Sequence, residues 1–165
     1  GRFRSRSRVW KGLGASAMVM DWVENEFMAR FHSECPALSK KNQESCYDPP
    51  EHRNFIDESM TKLLDRGVVG RWDPARGKPR VVSPLKVVLK KRGLFRLILD
   101  LSRLNKYLVF PRFKHDNIDK VAGVFEKGDY VFAWDLKDGY WHQELHQGMH
   151  EYMCLEWNGE LFYFD

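Results

Sequence analysis

Two carboxylates, Asp135 and Asp138, follow the apolar run Tyr130-Val-Phe-Ala-Trp134 and precede Gly139 and Tyr140. The run reads as a short buried strand that delivers Asp135 to its C-terminal tip, with a tight turn after it. A carboxylate lifted to the end of a strand suits a chain that holds a metal ion against a phosphate. Hard divalent cations such as Mg²⁺ take carboxylate oxygens and keep substrate phosphates as further ligands. The ordinary alternative is an Asp that only caps the turn after a strand. Upstream lies a second concentration of chemistry. From Arg76 to Arg96 there are eight basic residues and no acid, more than surface solubility asks for. Lys90, Lys91, Arg92 and Gly93 stand together in its middle.

The elements that must position these groups can be read from periodicity and punctuation. Residues 81–89 and 94–101 have the β-branched and aliphatic content of two strands, and the basic turn 90–93 joins them. Pro49-Pro50 opens a helix through Arg66, with Phe55, Ile56, Met60, Leu63 and Leu64 as its apolar stripe and Gly67 as its stop. Ahead of it, residues 15–31 can form an amphipathic helix through Met18, Val19, Trp22, Val23 and Phe27. Residues 33–47 read as a loop and 68–79 as a turn-rich connection. Asp116 can cap a helix whose face is Ile118, Val121, Ala122 and Phe125, ending near Lys127-Gly128. At the far end, Asn158-Gly159 between Met153–Trp157 and Glu160–Phe164 is a strong hairpin signal. The expected fold class is α+β.

Bulk properties narrow the function further. The 165 residues are 43% hydrophobic and 14% aromatic, enough for one domain with a real core. No run approaches the ~18–20 apolar residues of a membrane span. The basic start, residues 2–11, and the apolar residues after it faintly mimic a secretory signal, but the apolar part is short and broken by Gly14. Cys35, Cys46 and Cys154 are odd in number and form no Cys-x-x-Cys pair, which favours reduced thiols in an intracellular protein. The net charge of +4 hides an asymmetry. Residues 1–114 hold 24 basic and 12 acidic side chains, and residues 115–165 hold 3 and 11. The cationic part suits a polyanion, and the acidic part contains the expected metal site. Residues 1–11 read as a solvated basic tail. His142, His146 and His150 recur every fourth residue like zinc ligands on one helix face, but Gly148 interrupts that helix and the spacing reads as a decoy.

The run Asp135-Leu-Lys-Asp138-Gly139-Tyr140 resembles the first catalytic motif of reverse transcriptases. Ser83 to Lys106, with its Arg96-x-x-x-Asp100-x-x-x-Leu104-Asn105-Lys106 spacing, resembles the fingers hairpin of the same enzymes. The two occur in the family's order, and residues 68–165 are covered well. Residues 10–31 more loosely resemble the leader of DIRS-type (tyrosine-recombinase) retrotransposon polymerases. The resemblance implies reverse-transcriptase-like fingers and an incomplete palm. It divides the chain into a basic tail (1–14), a leader helix and loop (15–48), a fingers-like region with the basic hairpin (49–114) and the first part of a palm (115–165). It also implies roles for single residues. Asp135 would be a catalytic carboxylate and a ligand of two Mg²⁺ ions. Lys90 or Lys91, together with Arg96, would meet the triphosphate, a task suited to the planar fork of arginine. Asp138 would lie close to the triphosphate or hold its turn. Gly139, where these enzymes often have Ala, would leave room beside the nucleotide. Tyr140 would be the steric gate that rejects a 2′-hydroxyl, unless it is a core aromatic. Asp100 would organise the hairpin rather than bind metal.

The activity so implied is RNA-directed DNA polymerisation for a retroelement. The partners would be an RNA template, a DNA primer, a dNTP and the rest of a polyprotein: the remaining palm, a thumb and an RNase H. No membrane partner is expected. The sequence contains no Tyr-x-Asp-Asp, the motif expected to supply the remaining catalytic carboxylates, so these residues alone are expected to be inactive. The alternative function is a non-catalytic nucleic-acid-binding remnant of a decayed element.

Overall fold

The computed structural model describes residues 3–90, 93–110, 123, 126–130, 132, 135 and 139–165, with the backbone alone for 140 and 141. The longest element is helix α3, Pro50–Asp65. Pro50 occupies the first turn, where its missing N–H costs nothing, and Ile56 and Met60, one turn apart, are its buried residues. Gly67 ends it at φ 66°, a left-handed conformation that glycine adopts without strain. The Gly67 N–H donates to the Leu64 carbonyl and the Val68 N–H to the Leu63 carbonyl, both at 2.9 Å, which closes the helix as a Schellman motif.

Two sheets pack near α3. The larger is five-stranded, in the order β1 (Leu38–Ser39), β3 (Val81–Val82), β6 (Cys154–Trp157), β7 (Glu160–Phe164) and β2 (Val69–Arg71). Its β1–β3 and β3–β6 pairings are parallel, and its β6–β7 and β7–β2 pairings antiparallel. The turn between β6 and β7 has Asn158 at φ 51° and Gly159 at φ 80°, the two positive values that an Asn-Gly hairpin turn requires. The smaller sheet is the antiparallel hairpin β4 (Leu85–Leu89) and β5 (Phe95–Leu99). The main core joins Ile56 and Met60 of α3 to Val69, Leu85, Val87, Leu155, Trp157, Phe162 and Phe164. A second cluster gathers Cys35, Val81 and Leu104.

Several expectations are corrected. Residues 3–12 are largely solvent-exposed, as a basic tail would be, but helical: a 3-10 turn at Arg4–Arg6 leads into α1, Ser7–Gly12. The leader helix, α2, spans Ala17–Asn25 and stops there because Glu26 turns to φ 66°. The connection after α3 contains β2, whose pairing partner Phe164 lies far along the chain. The single strand expected over 81–89 divides at Ser83-Pro84, since proline has no N–H for a ladder. The loop 33–47 holds β1 and a 3-10 turn at Glu44–Cys46. Of the expected buried strand 130–135, Tyr130, Phe132 and Asp135 are described. None lies in a strand, and the two aromatics are 101% and 84% exposed. No strand among the described residues pairs with them. The helix expected from Asp116 lies outside the described residues except for Gly123, Glu126 and Lys127, which are not helical.

All three thiols are free and buried. Burial pushes Cys154 up to about 12, so it stays protonated and unreactive at neutral pH. Among the described residues no helix is long and apolar enough to cross a membrane.

Candidate active site and nucleic-acid interface

The register of the β4–β5 hairpin decides what it presents. Pairing of Leu85 with Leu99, Val87 with Leu97 and Leu89 with Phe95 puts six apolar residues on one face. Lys86, Val88, Arg96 and Ile98 alternate onto the other. The apolar face turns to α3, where the Phe95 ring meets His52 edge-on at 4.6 Å and Phe55 at 5.5 Å. Arg96, opposite Val88, is exposed. It borders a groove of about 310 Å³ between α3 and the hairpin that Phe55, Leu63, Leu97 and Phe164 also line. The hairpin closes through Lys90, whose N–H donates to the Leu94 carbonyl at 2.6 Å and whose carbonyl accepts the Gly93 N–H at 3.3 Å. Lys90 is exposed; Lys91 lies outside the described residues.

Polar side chains seat this hairpin on the rest of the fold. Asn42 accepts the Leu85 N–H through Oδ1 and donates Nδ2 to the Glu156 carbonyl, both at 2.8 Å, tying β4 to β6. Ser45 Oγ accepts the Val87 N–H at 3.3 Å. Asp100 closes the base: its N–H donates to the Pro84 carbonyl at 2.9 Å and its Oδ1 accepts the Ser102 N–H at 3.0 Å. The hydrogen bonds from Ser102 hold the Asp100 carboxyl below the usual carboxylate range, with Lys86 and Lys40 adding to the effect. On α3, Asp57 receives Trp157 Nε1 at 2.6 Å and Asn158 Nδ2 at 3.1 Å, which anchors the β6–β7 turn. Neither Asn42 nor Asp57 carries a sequence signal beyond lying in a polar stretch.

Asp135 is exposed, and Asp138 lies outside the described residues. Gly139 and Tyr140 begin a 3-10 turn, Gly139–His142; the Tyr140 side chain is not described. Among the described residues no three His, Cys, Asp or Glu side chains come together as a metal site. Asp135 therefore offers one carboxylate, too few oxygens to hold a magnesium ion, and the described residues by themselves do not fit the pair of ions. The three histidines have separate surroundings. His142 leans on Phe3 at 5.8 Å between ring centroids. His146 Nδ1 accepts the Gly148 N–H at 3.1 Å. His150 stacks on Tyr163 at 4.3 Å and lies 3.2 Å from Asp165 Oδ1 without hydrogen-bond alignment.

A basic two-stranded hairpin seated on a helix, beside a mixed sheet ending in an antiparallel hairpin, is a reverse-transcriptase-like α+β fold. Solved structures bear this out. The protease–reverse transcriptase of prototype foamy virus is similar over 80% of this chain, with a TM-score of 0.63 and 18% identity. A mutant of that protein is similar over 98% of the chain at 0.63 and 14% identity. The foamy viral enzyme solved with an RNA/DNA hybrid aligns over 83% at 0.64 and 16% identity. In sequence, the retrovirus-related Pol polyprotein of transposon 297 from Drosophila melanogaster is 22% identical over 94 residues, 57% of this chain. No family model matches. The chain thus has a reverse-transcriptase-like fold, and its sequence is similar to that of a retrotransposon Pol polyprotein. It spans 9% of that polyprotein and 17% to 23% of the three polymerase structures.

Proposed function

We propose that this chain is the fingers and first palm segment of an RNA-directed DNA polymerase from a retroelement. The observation that supports this most is the β4–β5 hairpin, which is seated by α3, Asn42 and Asp100 and presents Arg96 and Lys90 to solvent. In this reading Arg96 with Lys90 or Lys91 neutralises the triphosphate, Asp138 and Gly139 lie beside it, and Tyr140 excludes a 2′-hydroxyl. Asp135 contributes one carboxylate to a magnesium site, and the other oxygens come from the nucleotide, water and acids beyond the described residues. The chemistry such an ion would supply is Lewis-acid polarisation at the primer hydroxyl and the pyrophosphate, with Asp135 as the residue that would hold it. The partners are an RNA template, a DNA primer and a dNTP.

The test combines binding and chemistry. Anisotropy of a labelled RNA/DNA template–primer across a salt series measures phosphate contacts in the chain. Arg96→Gln should leave that slope unchanged and raise KM for dNTP in primer extension, because Arg96 meets the triphosphate rather than the duplex. Primer extension by the polyprotein product that carries these residues should be Mg²⁺-dependent and vanish in Asp135→Asn, with duplex affinity within about twofold. Extension that survives Asp135→Asn would remove that residue from the site. Duplex binding without any Mg²⁺-dependent extension would leave a nucleic-acid-binding element without catalysis.

A further inference from the structure

The leader, residues 3–31, has no part in the chemistry above, yet it grips the segment that follows Asp135 at three places. The Phe3 N–H donates to the His142 carbonyl at 3.3 Å, and the Phe3 ring packs against both Trp10 and His142. Gln143 donates its side-chain amide to the Trp22 carbonyl at 2.8 Å and to the Glu144 carbonyl at 3.1 Å. Phe27 bridges Leu145 in parallel: its N–H reaches the Glu144 carbonyl at 2.9 Å, and its carbonyl accepts the His146 N–H at 3.1 Å. The φ of 66° at Glu26 sends the chain out of α2 into this bridge, and an Arg4–Glu26 ion pair at 2.9 Å ties the two ends of the leader together.

Most of these contacts lie outside the two apolar clusters, although Leu145 packs against the main cluster and Phe31, at the end of the leader, against the second. Between residues 3 and 30 only Val23 is buried, and no residue of that stretch belongs to either apolar cluster. The grip falls on residues 142–146, adjoining a four-residue 3-10 turn that has little stability of its own. A displacement of about 1 Å at a reacting site costs on the order of 100-fold in rate, so such a turn gains most from outside support. We propose that the leader is a brace that sets the position of the Gly139–His142 turn, with Gln143 as its positioning residue. The functional meaning of the brace rests on the assignment of Gly139 and Tyr140 to the nucleotide.

Gln143→Glu keeps the size of the side chain and removes its donor. Amide hydrogen exchange of the 165-residue chain reads the brace directly. Exchange over residues 139–146 should rise about tenfold, as expected for one net hydrogen bond, with residues 154–164 within about twofold. Phe3→Ala, in an exposed part of the leader, should give the same regional pattern. Unchanged exchange over 139–146 in both variants overturns the brace, and so does an equal rise over 154–164. In primer extension by the polyprotein product that carries these residues, Gln143→Glu should raise KM for dNTP by about tenfold while kcat moves less than threefold. If the unaltered protein takes up no nucleotide, the polymerase reading fails, and the exchange data still decide the brace.

Discussion

Asn42→Ala tests how the basic hairpin is seated. Its side chain makes two good hydrogen bonds, to the Leu85 N–H and the Glu156 carbonyl, each 2.8 Å long. The two ends are not equivalent. Leu85 is 1% exposed, so its N–H loses its partner in a place water does not readily reach. Such an orphaned donor costs about 1–3 kcal/mol. Glu156 is exposed, and its carbonyl rehydrates, so that end loses only about 0.5–1 kcal/mol. The total is about 1.5–4 kcal/mol, a large share of the roughly 5–15 kcal/mol of a natural domain. With a urea slope of about 2 kcal/mol/M, the unfolding midpoint should fall by about 1–2 M with the slope unchanged. Asn42→Asp keeps the acceptor for Leu85 and loses only the donor, so it should cost clearly less than alanine. Equal losses for the two variants, or a loss below about 0.5 kcal/mol for alanine, would refute the claim that the buried Leu85 donor dominates.

Two further outcomes follow from the packing of β2 and β7. A Cβ built on Gly70 would lie 2.6 Å from the Tyr163 ring, which covers it across the β2–β7 pair. Gly70→Ala must therefore displace Tyr163 from its stack on His150 and should cost about 1–3 kcal/mol in urea unfolding, but under about 0.5 kcal/mol in a Tyr163→Ala background. Burial holds His150 below its ordinary value; Asp165 pushes the other way and Arg76 adds to the lowering. The fold thus prefers the neutral ring. Its contribution is fully present above about pH 6.5 and is lost as the pH falls through the lower folded-state value. His150→Gln should shrink the drop in urea midpoint between about pH 7.5 and about pH 5, and an unchanged or steeper drop would remove His150 as the cause.

Local chemistry was legible in the sequence wherever one segment decides its own structure. Pro50 and Gly67 bracket α3 because a ring with fixed φ suits the first turn and a residue without Cβ suits the last. Asn158-Gly159 forms its turn because both residues accept positive φ. The apolar runs flanking Lys90–Gly93 pair because they alternate against a short link. The order of the five-stranded sheet was not legible, since Val82 pairs with Cys154 and Val69 with Phe164 across most of the chain, and no local pattern encodes such a meeting. For the same reason nothing local marks residues 69–71 as the strand β2. Asn42, Asp57 and Gln143 were invisible because a polar side chain in a polar stretch shows its worth only when a distant backbone group arrives beside it. The sequence alone determined which residue types are on offer: a cationic hairpin and a carboxylate run that resemble polymerase motifs. The tertiary structure decided how that hairpin is held and what grips the segment after Asp135, because closing long loops onto specific polar partners is a property of the whole chain.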